Sequence, residues 1–566
     1  MIYFNRDRQN NNSMLFRLIR IYLFIAGTIL TSGIRAQPQV LLHTDKAFYV
    51  SGEKIWYSLY LPQELQDKSY MLKVFAVNAN GEIMGSNYLR SDGKSIVGGY
   101  YSIPFDAATG PLRLAFFAVN NFSVELIPLI TAAFPVYNDL EKLDVTKIKL
   151  QNLVGNEEAI PGQNVSVSVS TTAAAAHPGD QIPLHIEIKD SYGRPLDGDL
   201  SIAVYDPNQI PFTDPRFTAF HQAVLPADAP LRDAATEVLL QGELQLSSGR
   251  KISTVEALGA FSRPTNSFYY ATPGSSGLFS IAVPDFYNSM PFQFIGHPYD
   301  PKKNFHVVFN DPAFTKDSLP LPYSEEILSY LDASRERKKI AQYFGLFDPA
   351  PDTLPKPADN ILKPDYTYKI KDYQAFATIG AFFKEITTSL TFKQSGKTYV
   401  ASLYNPGVSV YAWEQLRGDP LFIIDGKVTR NADFIARFNL EPVQTVELFY
   451  VARNLRQAFN LMGNNGVVYV HTNLPDITLP QDDEEDVFEI SGLLPPASFS
   501  SPAIPDQVTP ELGPVAYWNP HLSVSGGVLD TTYQHSDERG NYVIQVVVRS
   551  KEGSIGIGEM KLNVSY

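Results

Sequence analysis

The stretch VLLHTDKAFYVSGEKIWYSLYL, Val40 to Leu61, alternates apolar and polar side chains on either side of Ser51-Gly52. A period of two is the pattern of a strand with one face buried, and a Ser-Gly pair between two such runs predicts a turn. The pattern continues outward. YMLKVFAVNANGEIMGSNYL, Tyr70 to Leu89, carries Asn80-Gly81, a hairpin signal because both residues tolerate positive φ. GPLRLAFFAVNNFSVELIPLITAAFPVYND, Gly110 to Asp139, completes enough strand for one sandwich over residues 37–140.

Further along, PGDQIPLHIEIKDSYGRPLDGDLSIAVYD (Pro178 to Asp206) reads as three strands with a Gly-Arg-Pro turn, within a second sandwich at 145–237. The small-residue run Ser170 to Gly179 before it reads as a flexible linker. A third sandwich is expected at 238–300, marked by Gly277-Leu278-Phe279-Ser280 leading to Pro284-Asp285-Phe286-Tyr287. Tyr323 to Gly345 is the one stretch with a helical stripe, through Ile327, Leu328, Leu331, Ile340 and Phe344, with Ser324 placed to cap it. Its RERKK cluster reads as a solvated face. With the Pro-rich Pro349 to Asn360, this fills a helix-and-linker region at 301–371.

From 372 to 475 the pattern changes. Phe422 to Ile424 reads as a buried strand turned by Asp425-Gly426, Val446 to Val451 as a second, and Asn465-Gly466 as the tight entry to a third. An acidic and Pro-rich linker at 476–510, containing DDEED (Asp482 to Asp486), separates this unit from a last set of alternating strands at 511–566. The expected class is mainly β and multi-domain, immunoglobulin-like sandwiches with one small α+β unit.

Composition supports that class. Of 566 residues, 44% are hydrophobic and 12% aromatic, and 41 Pro and 36 Gly break the chain into short elements. A net charge of −14 argues against nucleic acid and anionic membrane as partners. There is no cysteine, hence no disulfide, no thiolate nucleophile and no Cys-ligated metal. Arg17 and Arg20 precede the apolar run Ile21 to Leu30, and small residues lead to Ala36: a signal peptide over 1–36, with Met1 and Met14 both open as the start. No later run has the length of a membrane-spanning helix.

Two family resemblances attach to these motifs. Asp45-Lys46, Tyr49 and Gly52-Glu53 resemble the opening of a second macroglobulin domain, and the closest likeness is to exported envelope proteins of Bacteroidota-type bacteria. Pro178 to Asp206 resembles a further macroglobulin-type domain, Gln241 to Gly296 a carboxypeptidase-regulatory, transthyretin-like sandwich, and Tyr517-Trp518-Asn519-Pro520 with Gly540 and Tyr542 the terminal sandwich of those envelope proteins. Pro406-Gly407-Val408, Pro420 to Gly426, Val446-Glu447-Leu448 and Gly463 to Val470 follow the order of a TonB-dependent receptor plug, yet fewer than 100 residues follow Thr472, too few for the barrel.

Chemistry is sparse. No His pair has metal-binding helical spacing, Gly93-Lys94-Ser95 and Gly396-Lys397-Thr398 lack the upstream glycine of a phosphate loop, and no G-x-S-x-G elbow occurs. Asp285 and Asp300 are a carboxylate pair without geometry. Trp56 and Trp518 read as core anchors. No catalytic residue, cofactor or metal is expected. The resemblances imply a non-catalytic exported scaffold, in the periplasm or at the outer membrane, that binds other envelope proteins, a separate receptor barrel among them. The candidate docking residues are the turns Asp425, Gly426, Gly463, Asn464, Asn465 and Gly466. Two other readings stay open: an accessory of a TonB-dependent uptake system, and a carbohydrate-binding or glycan-cleaving protein.

Overall fold

The computed structural model describes residues 40–566 except 63–64, 67, 121–125, 142–164, 174, 211–236, 247–254, 298–304, 310, 318–320, 322–323, 347–362, 388, 406–415, 417, 452, 454, 456–457, 481–486 and 500–509. The signal segment, both start sites, Pro349 to Asn360, Pro406 to Val410, Asp300 and DDEED therefore lie outside the described residues.

The opening stretch forms strands Leu41–Thr44, Tyr49–Val50 and Lys54–Tyr60. The third lies between the first and Ile96–Ser102 in one sheet; the second joins the edge of a five-stranded sheet that runs on through Leu126–Tyr137, Gly110–Val119, Met71–Val77 and Ile83–Arg90. Between the two sheets lie Leu42, Ile55, Tyr57, Leu59, Leu72, Val74, Leu114 and Phe116. The chain changes sheets at Ser51-Gly52, where Gly52 has φ 82°, a conformation that favours glycine.

The second sandwich corrects the expected domain order. Gln181–Asp190 lies between Val165–Ser170 and Val528–Gln534 in one sheet, and Gly198–Tyr205 lies between Val515–Val524 and Gly540–Ser550 in the other. The segments set apart as 145–237 and 511–566 thus share one core, with Ile186, Ile202, Val204, Ile544 and Val546 all buried in it. Local alternation shows that a segment is a strand, but says nothing of which strand it pairs with.

The third sandwich is inserted between those halves. Glu237–Leu246 pairs with Leu278–Pro284 and Phe305–Phe309, and faces a sheet of Ser267–Ala271, Ala257–Ser262, Ser289–His297 and Val487–Ser491. It therefore extends past 300, and its last strand comes from the span expected to be linker. Inserted in turn is the α+β unit. Its five-stranded sheet runs Tyr366–Lys369, Val443–Phe449, Val467–Thr472, Leu421–Ile424, Lys427–Thr429, with Leu421–Ile424 parallel to Val467–Thr472. Helices Ile379–Ile386 and Ala432–Arg437 and the hairpin Leu390–Ser395/Thr398–Leu403 cover one face. Both helices are too short to leave a periodic signal. Tyr366–Lys369 places the unit's start ahead of 372.

Helix Glu325–Phe344 is capped as expected, Ile327 N donating to Ser324 Oγ at 3.4 Å and Gly345 ending it in the left-handed region. It buries Ile327, Tyr330 and Leu331 against Phe48, Trp56, Tyr205 and Trp518, at the seam of the first and second sandwiches. The RERKK cluster is corrected: Arg335 donates to Asp139 O, Lys338 Nζ to Asp139 Oδ1 at 2.7 Å, and Arg337 to Gln209 and Glu538. Three of its five residues are clamps between modules. No helix among the described residues is long and apolar enough to cross a membrane.

Candidate functional site

The two turns singled out from the sequence sit at opposite ends of the parallel pair, because Gly466 precedes Val467, the partner of Leu421, and Asp425 follows Ile424, the partner of Val470. The structure does not bring them together. Asp425 (φ 47°) and Gly426 (φ 79°) turn the chain into Lys427–Thr429, and the Asp425 carboxylate accepts from Thr472 N at 2.9 Å and from Thr472 Oγ1. A Cβ on Gly426 would stand 2.7 Å from Arg263 Cγ of the third sandwich. At the other end, Gly463 and Gly466 are buried, Asn465 lies across Gly418, and Asn464 is exposed. The uncovered face of the sheet is also taken: Leu421, Ile423, Val467 and Tyr469 pack on Ala257, Phe261 and Phe268. Gln293 completes this interface, donating to Val428 O at 2.6 Å and accepting from Val428 N at 2.8 Å, and so closes the edge strand of the unit.

The motif of the opening stretch is a buried polar knot. Lys46, 5% exposed, donates to Glu53 Oε2 at 2.6 Å and to Tyr330 Oη at 3.1 Å on the helix. Tyr330 Oη donates to Glu53 Oε1 at 2.8 Å, and Val50 N to Glu53 Oε2 at 2.8 Å. Asp45 accepts from Tyr49 Oη at 2.7 Å and from Trp56 N at 3.1 Å. Burial pushes the Asp45 carboxyl up to about 6 against the opposing pull of Lys46. For Glu53 burial also raises the carboxyl, but Lys46 and the hydrogen bonds from Val50 and Tyr330 together outweigh it and the group is held below its ordinary value. Each partner is spoken for, so this constellation fastens the helix and has no free group with which to act on a ligand.

A second cluster looks catalytic in composition. Asp199, His521 and Ser523, joined by no sequence signal, meet at a cavity of about 460 Å³ with Lys94, Ser95 and Arg549 also lining it. Ser523 Oγ donates to Asp199 Oδ1 at 2.6 Å, His521 Nε2 lies 3.1 Å from the same oxygen, and Ser95 donates to Oδ2. Burial would raise the Asp199 carboxyl, but those three hydrogen bonds hold it down at about 2. A hydroxyl is activated when an imidazole stands between it and the carboxylate. Here the carboxylate stands between, and Ser523 Oγ is 3.5 Å from His521 Nε2. Ser523 hands its proton toward Asp199, and the cluster joins Ser95 of the first sandwich to the second.

His43 does the same at the adjoining interface. It is fully buried, with Nδ1 2.6 Å from Ser201 Oγ and Nε2 3.3 Å from Gln545 Oε1, and burial depresses it to about 3. Of the carboxylate pair, Asp285 is held bidentately by Arg90 of the first sandwich. Trp56 and Trp518 are 8% and 2% exposed and share one core.

No protein-family model matches the sequence. No curated protein matches it either. Among solved structures, a trypsin-activated alpha-2-macroglobulin from Escherichia coli aligns with 93% of this chain and 41% of its own, at 10% identity and a TM-score of 0.22. A Salmonella alpha-2-macroglobulin reacted with methylamine aligns with 94% and 39%, at 9% identity and 0.23. A red sea bream transglutaminase aligns with 47% and 30%, at 8% identity and 0.14. The chain spans about two-fifths of the length of the macroglobulins it matches. Its fold class, mainly β with several sandwiches, rests on its own sheets and cores.

Proposed function

We propose that this chain is a non-catalytic exported scaffold that binds other proteins of the bacterial envelope. The observation that carries the reading is where its buried polar chemistry goes. Lys46 with Glu53 and Tyr330, His43 with Ser201 and Gln545, Arg90 with Asp285, and Asp199 with Ser95 each join one module to another. Enzymes aim such groups at a reacting atom; here they lock sandwiches together. Export is supported by the pattern from Arg17 to Ala36. The macroglobulin resemblance supports a protein-binding role, and covalent trapping through a Cys-Gln thioester has no cysteine to use.

A second reading, an accessory to TonB-dependent uptake, is favoured by the plug-like order of the α+β unit and by its hairpin Leu390–Ser395/Thr398–Leu403, whose tip is exposed. The carbohydrate reading loses its two tryptophan platforms to burial. Crosslinking the tagged chain in its native envelope, followed by purification, tests the proposal. Repeated recovery of one envelope protein supports the scaffold; recovery of a receptor barrel, lost on deletion of 363–480, favours the second reading; release of product from a glycan or peptide substrate overturns both.

A further inference from the structure

A groove of about 420 Å³ runs between the first and second sandwiches, lined by Tyr100, Tyr287, Phe499, Trp518 and Pro520. Two sheet edges open onto it. Tyr88 on strand Ile83–Arg90 is already paired outward: Tyr88 N donates to Gly492 O and Leu494 N to Tyr88 O, both at 2.8 Å. The chain's own Gly492 to Leu494 is thus zipped onto that edge, and on its other side Leu493 N donates to Phe286 O at 2.8 Å. Outward-facing groups recur every second residue, so Arg90 directs its amide and carbonyl to the same side. The next rung would require Pro496 to donate to Arg90 O, and proline has no N–H. The zipper stops at Leu494, and Arg90's main chain has no partner among the described residues.

The second edge is strand Ile96–Ser102, which pairs only with Lys54–Tyr60. Leu61 N donates to Ser95 O and Ile103 N to Glu53 O, so Ser95, Val97, Gly99, Tyr101 and Ile103 face the neighbouring strand. Ile96 and Gly98 therefore point their amides and carbonyls outward, and neither has a main-chain partner among the described residues. Gly98 is exposed, but the space its missing side chain leaves is taken by Pro520 of the second sandwich, whose Cβ lies 2.6 Å from where a Cβ on Gly98 would stand, so what stays open is its main-chain edge.

We infer that this groove takes an extended segment of a partner protein as an added strand, its main chain pairing at Gly98 and Arg90 and its apolar side chains lying toward Tyr100, Tyr287 and Phe499. The inference rests on the scaffold reading and names where the partner is held. The occupant follows from what is already seated there: the chain satisfies the neighbouring part of the same edge with its own extended segment and stops only where proline removes the donor. Strand addition gives affinity through the main chain and selectivity through alternate side chains.

The test uses the whole mature chain and dodecamer peptides selected on it from a displayed random library. Amide exchange is read residue by residue with and without peptide. At Gly98 and Arg90 it is expected to slow about tenfold or more, while Val97 and Gly99, already bonded to the adjacent strand, stay within about twofold. N-methylating peptide amides within the paired segment weakens binding about tenfold, because alternate amides face the two edges, and N-methylating residues beyond that segment leaves it nearly unchanged. Protection elsewhere, indifference to N-methylation within the paired segment, or displacement of the peptide by an oligosaccharide overturns the inference. So does a failure to select any peptide. An envelope partner that crosslinks outside residues 83–102 sinks the groove while leaving the scaffold intact.

Discussion

Lys46 shows at the scale of one residue how a motif that reads as a family signature is physically a fastening. A cation that is 5% exposed persists only because Glu53 and Tyr330 surround it. Lys46→Met leaves the Glu53 carboxylate buried without its cation and is expected to destabilise the chain by about 3–5 kcal/mol. The double variant Lys46→Met, Glu53→Gln should cost less than the sum of the two singles, as read from urea midpoints; strict additivity would mean the pair does not interact. Gly466 is the second such residue. At φ 86° a side chain is strained, and a Cβ there would overlap Leu403. Gly466→Ala should therefore lower stability by about 2 kcal/mol or more, while Asn464→Ala, at the exposed corner of the same turn, should change it by less than about 0.5 kcal/mol. Equal effects would show that the turn does not bear on the core.

Elements meet at interfaces that are wired with buried histidines, and this sets an acid limit. Above pH 6.5 His43 and His535 are neutral folded and unfolded alike, so the stability is complete. Burial depresses them to about 3 and about 4, so as pH falls through 6.5 the unfolded chain takes up protons that the fold refuses. Asp45, raised to about 6 by burial, works in the opposite direction between 6 and its ordinary value of 3.8. Two groups against one leave a net loss of about 1.4 kcal/mol for each unit below pH 6 from these three residues. His43→Gln removes one of the two and should flatten the dependence between pH 6 and 4.5 in urea titrations; an unchanged slope would place the sensitivity elsewhere. The strands themselves were legible at this scale. Alternation marked Lys54–Tyr60, Met71–Val77 and Gln181–Asp190, and Asn80-Gly81 and Asp425-Gly426 announced their turns. The clamps in RERKK were not, because a charged run looks the same whether it meets water or Asp139 and Glu538.

The whole molecule is nested: the α+β unit is inserted in the third sandwich, and the third sandwich in the second. That order was hidden because strand partners such as Gly198–Tyr205 and Gly540–Ser550 are more than 300 residues apart, and nothing local encodes the match. Salt bridges then tie the layers together, with Lys73 Nζ 2.7 Å from Asp311 Oδ1 and Arg90 on Asp285, and Phe314 lies between Phe75 and Phe117 of the first sandwich. The groove depended on the same hidden order, since it exists only where Leu493 returns to Tyr88 and Trp518 to the first sandwich. Nesting also predicts how the protein fails. A chain ending at residue 509 keeps Val165–Ser170, Gln181–Asp190 and Gly198–Tyr205 but loses four of the seven strands of their sandwich, leaving Ile186, Ile202 and Val204 without Ile544 and Val546. Limited proteolysis should then cut within 165–210 while 40–139, whose core is its own, resists. Supplying residues 510–566 as a separate fragment should restore protection of 165–210, because the missing strands are contiguous and enter the sandwich together. If the truncated chain resisted protease unaided, the second sandwich would have to be held by something other than the strands it shares with the C-terminal segment.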